Sequence, residues 1–131
     1  MDSDTILIVD DNAINLRLFA EILEHAGYSV VTAADADQAQ RVIHRTTPDL
    51  ILMDIGLPGM DGLALTRKLK AEETTCRIPI VALTAFAMKG DDQKAFAAGC
   101  EGYIPKPVDT RKLPGQVASF LHHPLHHPSE A

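Results

Sequence analysis

The 131-residue chain has no tryptophan, few aromatic residues (5%) and two cysteines. Two thiols, Cys76 and Cys100, are too few for a disulfide framework and read as reduced cysteines of a cytoplasmic protein. No apolar stretch approaches the roughly 20 residues that a membrane-spanning helix needs. The acidic start Met1-Asp2-Ser3-Asp4 lacks the basic and apolar parts of a signal peptide. Positive charge is also short: 12 Lys and Arg face 18 Asp and Glu, a formal net charge of -6. That balance argues against a nucleic-acid-binding surface and against recruitment to anionic membranes. There is no internal repeat and no interior low-complexity segment. At this length one domain with a proper core is expected, and hardly two.

What is present is an alternation of strand-length apolar runs with segments of helical period, which predicts an α/β domain. The first strand is expected over Thr5 to Val9, with Asn12 capping a helix that carries Phe19, Ile22, Leu23 and Ala26 inward and stops at Gly27. A second strand is expected over Tyr28 to Thr32. A second helix should begin near Asp35, with Ala36, Ala39, Val42 and Ile43 on its inner face. Pro48 and Asp49 precede the third apolar run. A Gly- and Pro-rich loop from Asp54 to Gly62 leads to a third helix, about Leu63 to Lys70. Pro79 should sit at the start of the fourth strand. A short fourth helix is expected near Asp91 to Ala98, a fifth strand over Gly102 to Ile104, and a fifth helix mostly after Leu113 because of Pro114. The strand runs do not alternate cleanly, as expected for strands covered on both faces. Right-handed crossovers then give a doubly wound sheet.

Four of these runs end in polar residues. Ile6-Leu7-Ile8-Val9 leads into Asp10-Asp11, Leu50-Ile51-Leu52-Met53 into Asp54, and Ile80-Val81-Ala82-Leu83 into Thr84. Gly102-Tyr103-Ile104 leads, after Pro105, to Lys106-Pro107. In parallel strands these ends meet on one edge of the sheet, where ligands of open α/β sheets bind. Close carboxylates repel, so a cation is the natural compensation. Mg²⁺ suits oxygen ligands and adds a phosphate oxygen readily. A carboxylate can also act as a nucleophile and form an aspartyl phosphate. Lys106 can neutralise a phosphoryl oxygen, and the Thr84 hydroxyl can donate to another. Aspartate also favours helix caps and turns, so the constellation carries the argument rather than any single residue.

These residues carry a resemblance. Ile6-Leu7-Ile8-Val9-Asp10-Asp11-Asn12, Asp49-Leu50-Ile51-Leu52-Met53-Asp54, Leu57-Pro58-Gly59-Met60-Asp61-Gly62, Leu83-Thr84-Ala85 and Lys106-Pro107 resemble a response-regulator receiver domain of the CheY type. Val81 to Asp91 is most similar to single-domain regulators of the DivK type. The resemblance covers about Thr5 to Leu121 and implies a five-stranded parallel sheet of order 2-1-3-4-5, the order known for CheY, flanked by five helices. It implies that Asp54 accepts a phosphoryl group from a phosphohistidine on a histidine kinase or histidine phosphotransfer protein. It further implies Mg²⁺ bound by Asp11 directly, by Asp10 through water, by Asp54 and by the Gly56 backbone carbonyl. Thr84 and Lys106 would hold the phosphoryl oxygens, and the Lys106-Pro107 bond would be cis. Thr84 and Tyr103 would couple phosphorylation to an output face of the fourth helix, fifth strand and fifth helix, which a downstream protein reads. The implied protein is a phosphoacceptor switch of two-component signalling, not an enzyme beyond self-phosphotransfer and autodephosphorylation.

Two other readings stand beside it. The same domain can be a piece of a hybrid kinase or larger regulator, which the sequence around Met1 and after Ala131 would discriminate. An aspartate-nucleophile phosphatase usually carries a second aspartate two residues after the first, where this chain has Gly56. The receiver is expected over residues 1–121. The end from His122 to Ala131, with His122, His123, His126, His127 and two prolines, is expected to be a flexible tail rather than a metal chelator. His25 and His44 read as surface residues. Pro105 is tolerable at the end of the fifth strand only if that strand is at an edge. Gly56 has no side chain to shield an acyl phosphate from water, while Phe86 covers one side at most. Gly56→Gln should therefore lengthen the phosphate half-life, measured by decay of the phosphorylated species; an unchanged half-life refutes the role given to Gly56.

Overall fold

The computed structural model describes residues 4–55, 62–84 and 91–130, with the backbone alone at 91, 92, 94 and 122–130. Five strands alternate with five helices: β1 (Thr5–Val9), α1 (Ala13–His25), β2 (Ser29–Ala33), α2 (Ala36–Thr46), β3 (Leu50–Asp54), α3 (Gly62–Ala71), β4 (Ile80–Thr84), α4 (Asp91–Ala98), β5 (Gly102–Pro105) and α5 (Leu113–Glu130). The sheet is parallel throughout, in the order β2-β1-β3-β4-β5. This is the doubly wound architecture that the alternation of strand and helix predicts.

Local chemistry sets the helix ends. The Asn12 side chain accepts from the N–H groups of Ile14 and Asn15 and caps α1. Asp35 does the same for α2 through the Gln38 N–H. Gly27 and Gly99 follow α1 and α4 at φ of 106° and 114°, a region that costs glycine nothing. Pro79 lies just outside β4, and its carbonyl accepts from the Ile51 N–H. Pro105 ends β5, which is an edge strand. Both prolines thus avoid the sheet positions where a missing donor would cost a ladder bond.

Sheet alternation divides the core in two. Leu7, Val9, Ile51, Met53, Ile80 and Ala82 pack with α2, α3 and α4 on one face. Ile6, Ile8, Leu50, Leu52, Val81 and Leu83 pack with α1 and α5 on the other. The inner residues expected for α2, Ala36, Ala39, Val42 and Ile43, are all buried. In α1, Phe19 and Leu23 are buried, Ile22 is half-buried, and Ala26 is exposed at the last turn, where the helix has run past the sheet. β2 lies one residue later than expected, at Ser29–Ala33, because the Tyr28 N–H closes the α1 turn onto the Leu23 carbonyl. Both cysteines are free; burial pushes the Cys100 thiol up to about 11, so it stays protonated. At the pole opposite the strand C-termini, Lys70 Nζ donates to the carbonyls of Cys76 and Ile78 and to Glu101 at 2.9 Å. That clamp ties α3 to the starts of β4 and β5.

Candidate functional site

The register builds the site. Val9 lies opposite Met53, so the next residues, Asp10 and Asp54, leave the sheet side by side. Asp54 lies opposite Leu83, and Thr84 opposite Pro105, so Thr84 and Lys106 follow on the adjacent strands. The Lys106 N–H donates to the Thr84 carbonyl at 2.7 Å. The Lys106-Pro107 bond is cis, as the resemblance implied.

Ligand oxygens of Asp10, Asp11 and Asp54 lie within 4.8 Å of one another. Asp10 and Asp54 are buried, while Asp11 is exposed at the rim. Lys106 Nζ stands 3.2 Å from Asp54 Oδ1 and 4.0 Å from Asp10 Oδ2. One ammonium thus stands beside two of the carboxylates. Burial raises the Asp10 pKa above its ordinary value, and the negative charge of Asp54 adds to the rise. The Asn12 N–H, Lys106 and the Asn15 side chain oppose it. The donor set fits Mg²⁺: it is all oxygen and open to water on the Asp11 side. The structure holds no ion, and the fit rests on these donors.

Thr84 is fully buried at the end of β4. Tyr103 lies opposite Ala82, and Thr84 comes two residues later, so strand alternation puts Thr84 and Tyr103 on one face of the sheet. Tyr103 is half-buried, and its ring meets Phe96 of α4 edge-on, with centroids 6.1 Å apart at 80°. Gly56 and Phe86 lie outside the described residues. His25 and His44 are exposed, as expected; His44 Nδ1 lies 2.8 Å from the Gln40 carbonyl.

Sequence reasoning did not single out three residues that shape this site. Gly62 opens α3 directly against the end of β3: a Cβ there would strike the Asp54 carbonyl oxygen and lie 2.7 Å from Ile55 Cα. In the sequence it appears as the last residue of the Leu57-Pro58-Gly59-Met60-Asp61-Gly62 stretch, with nothing there to show this contact. Asn15 donates to Asp10 Oδ2 at 3.4 Å, and Phe96 supplies the ring against Tyr103. Asn15 follows the cap Asn12 at a spacing that returns its side chain to the helix start, a signal visible in principle. Phe96 has none.

Comparison with known proteins agrees with this geometry. The family described as the response regulator receiver domain matches residues 6–118. The chain is 40% identical over 117 residues to the polar-differentiation response regulator DivK of Brucella ovis, covering 89% of this chain and 95% of that protein. A receiver domain of a sensor histidine kinase from Pseudomonas aeruginosa, solved with a magnesium ion coordinated in its active-site cleft, superposes with a TM-score of 0.83. It is 38% identical, over 91% of this chain and 98% of that one. The chemotaxis response regulator CheY4 of Vibrio cholerae superposes with a TM-score of 0.85 at 26% identity, over 90% and 98%.

The Asp10 pKa has a consequence for stability. The folded chain keeps the Asp10 proton at pH values above 3.8 where the unfolded chain has lost it, so stability falls as pH rises through that window. Asp10→Asn removes the buried charge while keeping an oxygen for the Asn12 N–H. At pH 7 without metal it should raise the Tm. Any Tm increase that Mg²⁺ gives the parent chain should be lost in this variant. Calorimetry with and without Mg²⁺ checks both; an undiminished Mg²⁺ effect refutes the placement of the ion at Asp10.

Proposed function

The chain belongs to the response-regulator receiver family of two-component signalling, and from that membership we propose that Asp54 is its phosphoacceptor. The observation that carries the proposal is the Lys106 ammonium 3.2 Å from Asp54 Oδ1, a fixed positive charge beside a buried carboxylate at the strand ends. An Asp54 oxygen attacks the phosphorus of a phosphohistidine on a histidine kinase or phosphotransfer protein. The phosphorus–nitrogen bond breaks, its electron pair returns to the imidazole, and an acyl phosphate forms without oxidation or reduction. Lys106 then neutralises a phosphoryl oxygen as a point charge, and the Thr84 hydroxyl donates to another. Asp11, Asp10, Asp54 and the Gly56 carbonyl would hold Mg²⁺, which when bound offsets the charge of carboxylates and phosphate together.

A receiver domain is a signalling domain rather than an enzyme of turnover. In this reading phosphorylation shifts a population between two arrangements. Thr84 and Tyr103, on one sheet face, carry the shift toward α4, β5 and α5, where a downstream protein binds. In this reading residues 1–121 form the receiver and 122–131 a His- and Pro-containing tail, although the backbone of α5 continues as helix to Glu130 rather than ending at Leu121. A cytoplasmic location belongs to the same reading, supported by two free cysteines; no helix among the described residues is long and apolar enough to cross a membrane. A receiver carried by a hybrid kinase would use the same chemistry.

The partner's approach is supported by α1. Ile14 is 77% exposed and Leu18 42%, one turn apart on the helix that begins beside Asp10 and Asp11. Two exposed large apolar side chains next to the acceptor suit a helix of the phosphodonor protein.

Incubation with acetyl phosphate and Mg²⁺, followed by intact mass, should give a single phosphoryl adduct that is absent in Asp54→Asn. An adduct that survives that substitution sinks the assignment. Ile14→Glu or Leu18→Glu should slow transfer from a phosphohistidine protein about 10-fold or more while leaving uptake from acetyl phosphate unchanged. Equal effects on both donors would remove α1 from the docking surface.

A further inference from the structure

The side chain of Asp10 is 1% exposed, so solvent cannot set its orientation. Protein donors set it instead. The Asn12 N–H donates to Oδ1 at 2.9 Å, and Asn15 Nδ2 donates to Oδ2 at 3.4 Å. The two asparagines are themselves joined, because Asn12 Oδ1 accepts from the Asn15 N–H at 3.1 Å and from the Ile14 N–H at 2.9 Å. Asp10, Asn12 and Asn15 therefore close a ring of hydrogen bonds on the first turn of α1. The carboxylate is tied at one oxygen to a backbone N–H and at the other to a side-chain amide, both from the start of α1.

The chemistry of the third member matters. Lys106 Nζ lies 4.0 Å from Asp10 Oδ2, and that ammonium is closer to Asp54, at 3.2 Å. Without the amide, the carboxylate is free to turn toward Lys106 and compete with Asp54 for it. A cationic residue at position 15 would hold Asp10 equally well but would neutralise the charge a metal needs. An acidic one would add repulsion to three carboxylates. A neutral amide orients without neutralising. It also occupies one lone pair of Oδ2 and leaves another for a metal-bound water.

We propose that Asn15 is a positioning residue for the metal site, holding the Asp10 carboxylate in the orientation that receives the hydrated cation. The proposal rests on the Mg²⁺ reading given above. Asn15 touches neither the ion nor the phosphoryl group; it acts through Asp10.

The test is Mg²⁺ binding by calorimetry to the full chain, its Asn15→Ala and Asn15→Leu variants, and the same changes in an Asp10→Ala background. Asn15→Leu keeps the volume and removes the amide, and Asn15→Ala keeps the test usable if leucine packs badly. The expected result is a Kd for Mg²⁺ raised about 3- to 10-fold by either variant. The effect should vanish when Asp10 is absent, because no carboxylate remains to orient. A merely structural role at the start of α1 would lower Tm in both backgrounds and leave Kd unchanged, and that result overturns the proposal. If the parent chain shows no saturable Mg²⁺ binding that Asp11→Ala removes, the metal reading itself fails and takes the proposal with it. Binding by the parent with an unchanged Kd in both Asn15 variants refutes the positioning role alone.

Discussion

Three carboxylates at the end of a parallel sheet repel one another, and much of the local structure answers that repulsion. Asp10 and Asp54 emerge side by side because Val9 and Met53 are paired in the register. Burial then denies them the solvent that would screen them. One ammonium, from Lys106, is shared between both. One backbone N–H and one amide hold Asp10 without discharging it. Lys106 and these donors lie at the strand ends, where a divalent cation and a phosphoryl group would meet.

The rest of the fold makes that arrangement sustainable. β1, β3 and β4 are buried on both faces, and their aliphatic side chains form two clusters that hold the strands in register. Hydrophobic burial supplies the stability that the charged end lacks. At the opposite pole Lys70 binds two carbonyls and Glu101, so polar groups there are satisfied rather than strained. Gly62 lets α3 begin against the backbone of Asp54 and Ile55. The start of α3 and the end of β3 are thus in direct contact.

Outward connections run from the same strand ends. Thr84 and Tyr103 share a sheet face, and Tyr103 meets Phe96 on α4, whose ring is 49% exposed. An aromatic pair of this geometry is worth about 0.5–1.5 kcal/mol. That is enough to bias a two-state element without locking it. On the other side, α1 begins beside the acid cluster and carries Ile14 and Leu18 outward. α4 thus lies on one face of the sheet, and α1 lies with α5 on the other.

Much of this was legible in the residues alone. Apolar runs of strand length, the caps Asn12 and Asp35, and the stops at Gly27 and Gly99 are local signals, and the elements they mark are present in order. Asp10, Asp11, Asp54 and Lys106 were legible as a site because they follow apolar runs, and parallel strands collect such ends. Edges were less so: β2 starts one residue late because a turn hydrogen bond to Leu23 decides it, and Ala26 is exposed because the helix outruns the sheet. What the sequence by itself determined is the alternation of elements, the strand-end chemistry and the helix starts, since each depends on residues near one another in the chain; the end of α5, at Glu130 rather than Leu121, was not among them. Only the tertiary structure decided that Gly62 must be small, that Asn15 meets Asp10, and that Phe96 meets Tyr103. Those facts depend on distances between segments brought together by packing, and no local pattern encodes a distance across a sheet.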